Sequence, residues 1–147
     1  MKIDEVDRSI LSVLRRDSRI SMTALANEVH ISRAGAHTRV RRLLDSGVIT
    51  GFTVRTDPVL TGENASAYVT LSIEQENWQE TRAKLNEIPE IEHIALVGGE
   101  FDVLLLVRAR DNRHLRRVVL ENIQSVPAVK NTRTLLIFED HPGGMLP

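Results

Sequence analysis

The chain has no cysteine among its 147 residues. A disulfide framework, a thiolate metal site and a cysteine nucleophile are therefore excluded. Aromatic residues make up only 3% of the chain, too few for the stacked platforms on which single-stranded RNA is read. No apolar run approaches the roughly 20 residues that a bilayer crossing needs, which argues against a transmembrane helix or a membrane partner. The opening MKIDEVDRSI carries acids where a secretory signal places basic residues and then an apolar stretch, so a cytoplasmic location is expected. Catalytic patterns are missing as well: there is no G-x-S-x-G, P-loop or G-x-G-x-x-G. The histidines, His30, His37, His93, His114 and His141, are scattered, without the spacing or carboxylate neighbours of a metal site. Glu90 and Glu92 read as solvated acids at a strand start and not as a general acid/base pair. The expectation is a protein that is not an enzyme and holds no metal or cofactor.

What is present is ordinary in bulk and uneven in detail. Hydrophobic residues are 41% and charged residues 27%, with a net charge of −1, the make-up of a soluble globular protein. The charge divides along the chain. Residues 1–55 hold ten Lys/Arg against six Asp/Glu, a balance of +4, and residues 56–147 hold nine against fourteen, a balance of −5. A basic front and an acidic rear suggest two modules, of which the first suits an anionic partner.

The front reads as three helices. Ile3, Val6, Ile10, Leu11, Val13 and Leu14 recur at helical spacing. Asp17 and Ser18 interrupt them, Ser21 caps a second run from Met22 to Val29, and a third opens at Ser32 and stops at Gly47. The period then changes. Val48 to Val54 is β-branched and alternating, with Gly51 inside, as in a short hairpin or wing. Residues 55–64 carry Pro58 and Gly62 and read as a linker.

Beyond the linker the order becomes strand, helix, strand, strand, helix, strand. Ala67, Val69, Leu71 and Ile73 alternate with polar residues, and a helix capped by Asn77 runs to about Glu87 before Pro89. Strands from Ile91 to Val97 and from Phe101 to Ala109 flank Gly98-Gly99-Glu100, a helix spans Asn112 to Val126, and Thr132 to Phe138 closes the set. This βαββαβ order is the ferredoxin-like arrangement. Both helices of such a unit cover one side of the sheet, yet Leu104 and Leu106 make the opposite side apolar. That side needs a cover, either a second copy of the chain or the front module packed onto it.

Two short helices joined by a tight turn, the second capped by serine and rich in arginine, match a helix-turn-helix. Ala36, Val40 and Leu43 fall on one side of the third helix, facing Leu25 and Val29, whereas Ala34, His37, Thr38, Arg41 and Asp45 fall on the other. Ala34 and Gly35 are small enough for a close backbone approach to a major groove, and the helix N-terminus favours phosphate. Arg33, His37, Thr38 and Arg41 can reach base edges or phosphates of double-stranded DNA. Arg42 and Arg55 are placed to hold phosphates, and Arg39, nearer the buried edge, suits a structural ion pair. Arginines on an exposed helix are also what plain solvated surface looks like.

The stretches IDEVDRSILSVLRRDSRIS, TALANEVHIS and RVRRLLDSGVITGFTV resemble the N-terminal domain of the Lrp/AsnC family of prokaryotic transcription regulators. VGGEFDVLLLV and NTRTLLIF resemble that family's second domain, a ferredoxin-like effector-binding and oligomerisation module. The resemblance covers residues 2 to about 139 in order. It implies that Asp4 and Asp7 form the family's opening acidic pair, a helix-capping feature, that Ser32 caps the recognition helix, and that Arg39 and Arg42 are its recurrent basic positions. Gly47 matches the terminating glycine, Gly99 and Asp102 match the G-x-x-D of an effector loop, and Thr132 and Thr134 match the threonines of the last strand. Arg33 and Gly35 stand where prolines or hydroxyl residues are common, and Leu44 where an acid is usual. On pattern alone Gly98-Gly99-Glu100 is a turn. The resemblance implies that such a loop lies at a subunit interface and binds a small amino acid. Glycine N–H groups would hold the carboxylate, and Glu100 or Asp102 the ammonium group.

The sequence therefore predicts an α+β protein: a winged helix-turn-helix domain over 1–54, a linker over 55–64, a ferredoxin-like effector and oligomerisation domain over 65–140, and a loose tail over 141–147. Its expected role is a DNA-binding transcriptional regulator, a dimer through Leu104 and Leu106 or a tetramer or octamer built from dimers, modulated by an amino acid. The competing readings are an effector-independent architectural DNA-bending protein and a small ferredoxin-like enzyme.

Overall fold

The computed structural model describes residues 2–74 and 78–141. It divides into two compact units, one ending at Arg55 and the other running from Thr56 to His141.

The first unit is three helices, α1 (Glu5–Arg16), α2 (Met22–Glu28) and α3 (Arg33–Asp45). Each starts where a side chain satisfies its free N–H groups. Asp4 accepts from the Asp7 N–H at 2.8 Å while Asp7 accepts from the Asp4 N–H at 3.2 Å, a reciprocal capping box. Ser21 accepts from Ala24 N–H at 3.1 Å, and Ser32 from Gly35 N–H at 3.0 Å. Past the end of α3, Gly47 takes φ +72° and donates to the Leu44 carbonyl at 2.9 Å, a left-handed stop that a side chain would oppose. The core is Ile10, Val13 and Leu14 of α1 against Leu25 and Ala26 of α2 and Ala36, Val40 and Leu43 of α3, with Val29 at its margin.

The expected wing hairpin over Val48–Val54 does not form. No strand lies between α3 and Ala65. Val48 and Ile49 instead fold back onto the helical core, Ile49 donating its N–H to the Leu43 carbonyl at 2.9 Å, while residues 51–55 are exposed. Local alternation favours a strand only where a second strand completes the ladder, and the unit supplies none. The expected linker is an ordered turn: Asp57 accepts from the N–H groups of Val59 and Leu60, and Glu63 donates to the Pro58 carbonyl at 2.7 Å.

The second unit contains β1 (Ala65–Ile73), α4 (Trp78–Asn86), β2 (Ile91–Leu96), β3 (Val103–Ala109), α5 (Asn112–Arg117) and β4 (Val129–Ile137). The expected Asn77 cap and residues 142–147 of the expected tail lie outside the described residues. α5 passes directly into a π-helical turn, Val118–Ile123, where the single expected helix ran on to Val126. The sheet order is β2-β3-β1-β4, with every pair antiparallel. Val69, Leu71, Val103, Leu105 and Val107 pack beneath Leu85, Leu115, Val118 and Ile123 from the helices. The opposite face carries Tyr68, Leu104, Leu106 and Leu135, brought side by side by the pairings Tyr68 with Leu106 and Tyr68 with Leu135. Leu104 and Leu106 are half-buried there, and Tyr68 and Leu135 are exposed.

Candidate DNA-binding helix and effector loop

α3 has two unlike sides. Ala36, Val40 and Leu43 are buried; Arg33, Ala34, His37, Thr38 and Arg41 are exposed. The exposed set follows helical spacing, so one stripe packs and another is free to meet a partner. Arg41 has only Asp45 nearby, at 4.0 Å with both side chains exposed, an i, i+4 pair that constrains it little. Ser32 is committed to the cap. So is Gly35, whose N–H completes it and where an added Cβ would lie 3.1 Å from the Ser32 Oγ. Arg55 is exposed in an irregular stretch well past α3.

Arg39 and Arg42 face the other way, toward a carboxylate. Asp7 is fully buried. Arg39 Nη1 donates to Asp7 Oδ1 at 2.8 Å and to Asp4 Oδ2 at 2.7 Å, and Arg42 Nη2 donates to Asp7 Oδ2 at 2.6 Å. An ionised carboxylate in a protein interior is tolerable only when its lone pairs are met by strong donors, and here two guanidiniums and a backbone N–H meet them. The hydrogen bond from Arg39, with the Asp7 N–H second, holds the Asp4 carboxyl below the usual carboxylate range. The same contacts, first with Asp4 and then with Asp7, raise the Arg39 guanidinium. Arg42, expected as a phosphate clamp, thus shares the structural pairing expected for Arg39. The acidic pair expected to serve as a helix cap does cap α1, and it also fastens α1 to α3.

The turn after β2 closes tightly. Val97 donates its N–H to the Asp102 carbonyl at 2.8 Å, and Gly99 takes φ +140°, a backbone region that glycine enters without strain. Asp102 donates its N–H to the Leu71 carbonyl at 2.9 Å and accepts at Oδ2 from the Ile73 N–H at 2.9 Å. Its carboxylate therefore ties the turn to β1. Glu100 is exposed and lies 3.9 Å from Arg133.

The expected effector residues fall into separate places. Glu100 and Thr132 line a cavity of about 120 Å3 together with Thr70, Ser72, Phe101, Asn131 and Arg133. Thr132 also accepts at Oγ1 from Gln124 Nε2 at 2.7 Å. Thr134 lines a different cavity, of about 490 Å3, against Leu115, Arg116 and Val119. Gly98 and Gly99 are exposed and line neither. Sequence reasoning missed Thr70, Ser72 and Asn131, whose nearness to the turn follows only from the β1–β4 register, Thr70 opposite Arg133 and Ser72 opposite Asn131. Among the described residues no group of three or more His, Asp or Glu is placed to hold a metal, and no helix is long and apolar enough to cross a membrane.

The comparisons agree with this two-part geometry. Residues 3–50 match the model of a winged helix-turn-helix DNA-binding domain, and residues 66–142 match the Lrp/AsnC ligand binding domain. The HTH-type transcriptional regulator AldR of Mycobacterium tuberculosis is 38% identical over 99% of this chain and 83% of its own length. The proline dehydrogenase transcriptional activator of Rhizobium radiobacter is 37% identical over 93% and 90%. Among solved structures, the leucine response regulatory protein of M. tuberculosis superposes with a TM-score of 0.84 at 30% identity, covering 95% of each chain. Helix-turn-helix, four-stranded antiparallel sheet and sequence similarity run together across almost the whole chain, which belongs to the Lrp/AsnC family of DNA-binding transcriptional regulators.

Proposed function

We propose that Arg33, Ala34, His37, Thr38 and Arg41 are the residues that meet DNA, with α3 in the major groove. The observation that carries this is the division of the arginines of α3. Arg39 and Arg42 are engaged by Asp4 and Asp7, so Arg33 and Arg41, the latter only loosely paired with Asp45, stand on the exposed stripe with His37 and Thr38. A helix that anchors itself with one set of arginines and leaves another set outward is built to present the second set. Arg55 adds a phosphate contact from the irregular stretch beyond α3. The test is selection of preferred sites from a random duplex library. Arg41→Ala or His37→Ala should change the base preference, at about 1–3 kcal/mol for a lost base contact; an unchanged preference with unchanged affinity refutes the assignment.

The ligand we propose is a free amino acid, consistent with relatives named for leucine response and for proline dehydrogenase activation. Its carboxylate would meet the N–H groups of the Gly98-Gly99 turn, and its ammonium group would meet Glu100, since Asp102 is engaged by the Ile73 N–H. Thr132 lines the same cavity as Glu100, whereas Thr134 lies in a separate one. The site completes itself between subunits, because the apolar face of Tyr68, Leu104, Leu106 and Leu135 is covered by a second copy, and dimers assemble further into tetramers or octamers. Binding between subunits then alters assembly and, through linkage, operator affinity. The reading places the protein with the chromosome in the cytoplasm, acting by binding and not by catalysis. A thermal-shift screen of the twenty amino acids, followed by calorimetry, tests the ligand; no binding at millimolar concentration and no change in assembly would leave the effector-independent architectural reading in its place.

A further inference from the structure

The second unit is rich in acid, and its cations mostly pair with it. Lys84 meets Glu80 at 2.7 Å, Lys130 meets Glu74 at 3.3 Å, Arg133 meets Glu100 at 3.9 Å, and Arg108 is held by Glu92 and Asp140. One stretch runs against the trend. Arg110, Arg113, Arg116 and Arg117 gather on α5 and its approach, with Asp111 the only acid among them. The acids around this stretch are engaged or marginal: Asp111 accepts the His114 N–H at 2.7 Å and lies 3.7 Å from Arg110, Glu90 meets His114 at 3.0 Å, and Glu121 comes a turn later. Among the described residues Arg113, Arg116 and Arg117 make no ion pair. α5 and the turn that follows bury Leu115, Val118 and Val119, and the arginines line a cavity of about 440 Å3 on the outer side.

Like charges this close repel one another, since the Debye length at 0.1 M salt is about 10 Å. Such a cluster is a standing attraction for a polyanion. The residue type matters too: a guanidinium fork fits phosphate oxygens in pairs. From Arg113 to Arg117 the helix axis advances about 6 Å, close to two base-pair steps of duplex DNA. We propose that α5 is a second DNA contact, with Arg113, Arg116 and Arg117 gripping phosphates of the duplex backbone. The contact carries no sequence information; it adds affinity and guides the path of the DNA.

This inference rests on the DNA-binding reading, and one experiment separates the two. The full chain and its R113Q/R116Q/R117Q variant are titrated with random-sequence duplex DNA by fluorescence anisotropy across a range of salt concentrations. Removing three phosphate contacts should flatten the plot of log affinity against log salt by about 2.7 units, at about 0.9 per contact, and weaken binding about tenfold or more at 0.1 M salt. A second variant, R82Q/K84Q/K130Q, removes the same charge from elsewhere in the unit and should leave the slope within about half a unit of the parent. An unchanged slope in the α5 variant, or equal losses in both variants, overturns the proposal while the parent's own binding preserves the DNA-binding reading. Failure of the parent to bind DNA overturns both. Sedimentation without DNA supplies the remaining arm: if the α5 variant changes its assembly state, the face is a protein contact and the proposal fails. Should the triple variant not fold by circular dichroism, R113Q alone carries the test, with an expected slope change of about 0.9.

Discussion

Replacing Asp7 should loosen the first unit and leave the second untouched. Its carboxylate is fully buried and accepts hydrogen bonds from Arg39, Arg42 and the Asp4 N–H. Breaking a buried ion pair by deleting one partner costs about 3–5 kcal/mol when the other charge stays buried. Here the arginines are only partly enclosed, with 29% and 46% of their side chains exposed, and can recover water. The ion-pair loss is therefore nearer 1–2 kcal/mol, and the lost half of the capping box adds about 0.5–1 kcal/mol. Asp7→Ala should thus cost roughly 1.5–3 kcal/mol, equivalent to a fall in melting temperature of about 6–24 °C for a unit this small. Asp7→Asn keeps the shape and should cost about half as much, through hydrogen bonds that are no longer charge-assisted. The chain reports its two units separately. Its one tryptophan, Trp78, lies in the second unit, so tryptophan fluorescence follows that unit while far-ultraviolet circular dichroism follows both. Asp7→Ala should bring forward a helical transition and leave the fluorescence transition in place. A melting shift under about 3 °C, or two transitions that move together, would show that Asp7 does not anchor α3.

Arg42→Ala should lower the stability of the same unit by about 1–2 kcal/mol and leave the salt dependence of DNA binding unchanged, as anisotropy titrations can check; a slope lower by about one unit would return Arg42 to the phosphate contacts. Leu104→Glu puts a carboxylate on the sheet face proposed to meet a second copy and should dissociate the assembly in ultracentrifugation; an assembly of unchanged size would mean that something other than a second copy covers it. The hydrogen bond from Arg39 holds the folded Asp4 carboxyl below the ordinary aspartate range, so its contribution is complete above that range and lost as the pH falls through the lower, folded value. Acid titration by circular dichroism should therefore destabilise the first unit below about pH 4, and Asp4→Asn should reduce that sensitivity.

What the sequence revealed, and what it hid, follows from how far each interaction reaches. The caps at Ser21 and Ser32 were legible because cap and partner stand three residues apart, while the cap at Asp4 followed only from the family resemblance. The strand order was legible because alternation and helical spacing are local patterns. The capture of Arg39 and Arg42 by Asp7 spans 32 and 35 residues, and nothing local marks an aspartate as buried. The wing misled for the converse reason. Val48 to Val54 has the composition of a strand, but pairing is a property of two segments, and Ile49 donates instead to the Leu43 carbonyl of α3. Thr132 and Thr134 could be placed on the last strand, but only the register with β1 separates their cavities.

The stripe of α3 that packs and the stripe that faces outward share no side chain. Ala36, Val40 and Leu43 hold the core, and Asp7 with its two arginines holds the orientation. Arg33, Ala34, His37, Thr38 and Arg41 contribute to neither. Exposed helical positions of this kind tolerate exchange at a few tenths of a kcal/mol. If these residues read the operator as proposed above, operator preference is free to drift during evolution without a toll on folding, one outward residue at a time. The same separation makes the helix a site for retargeting: libraries confined to those positions should return folded proteins at nearly the parent's rate, with new sequence preferences decided wholly at the groove.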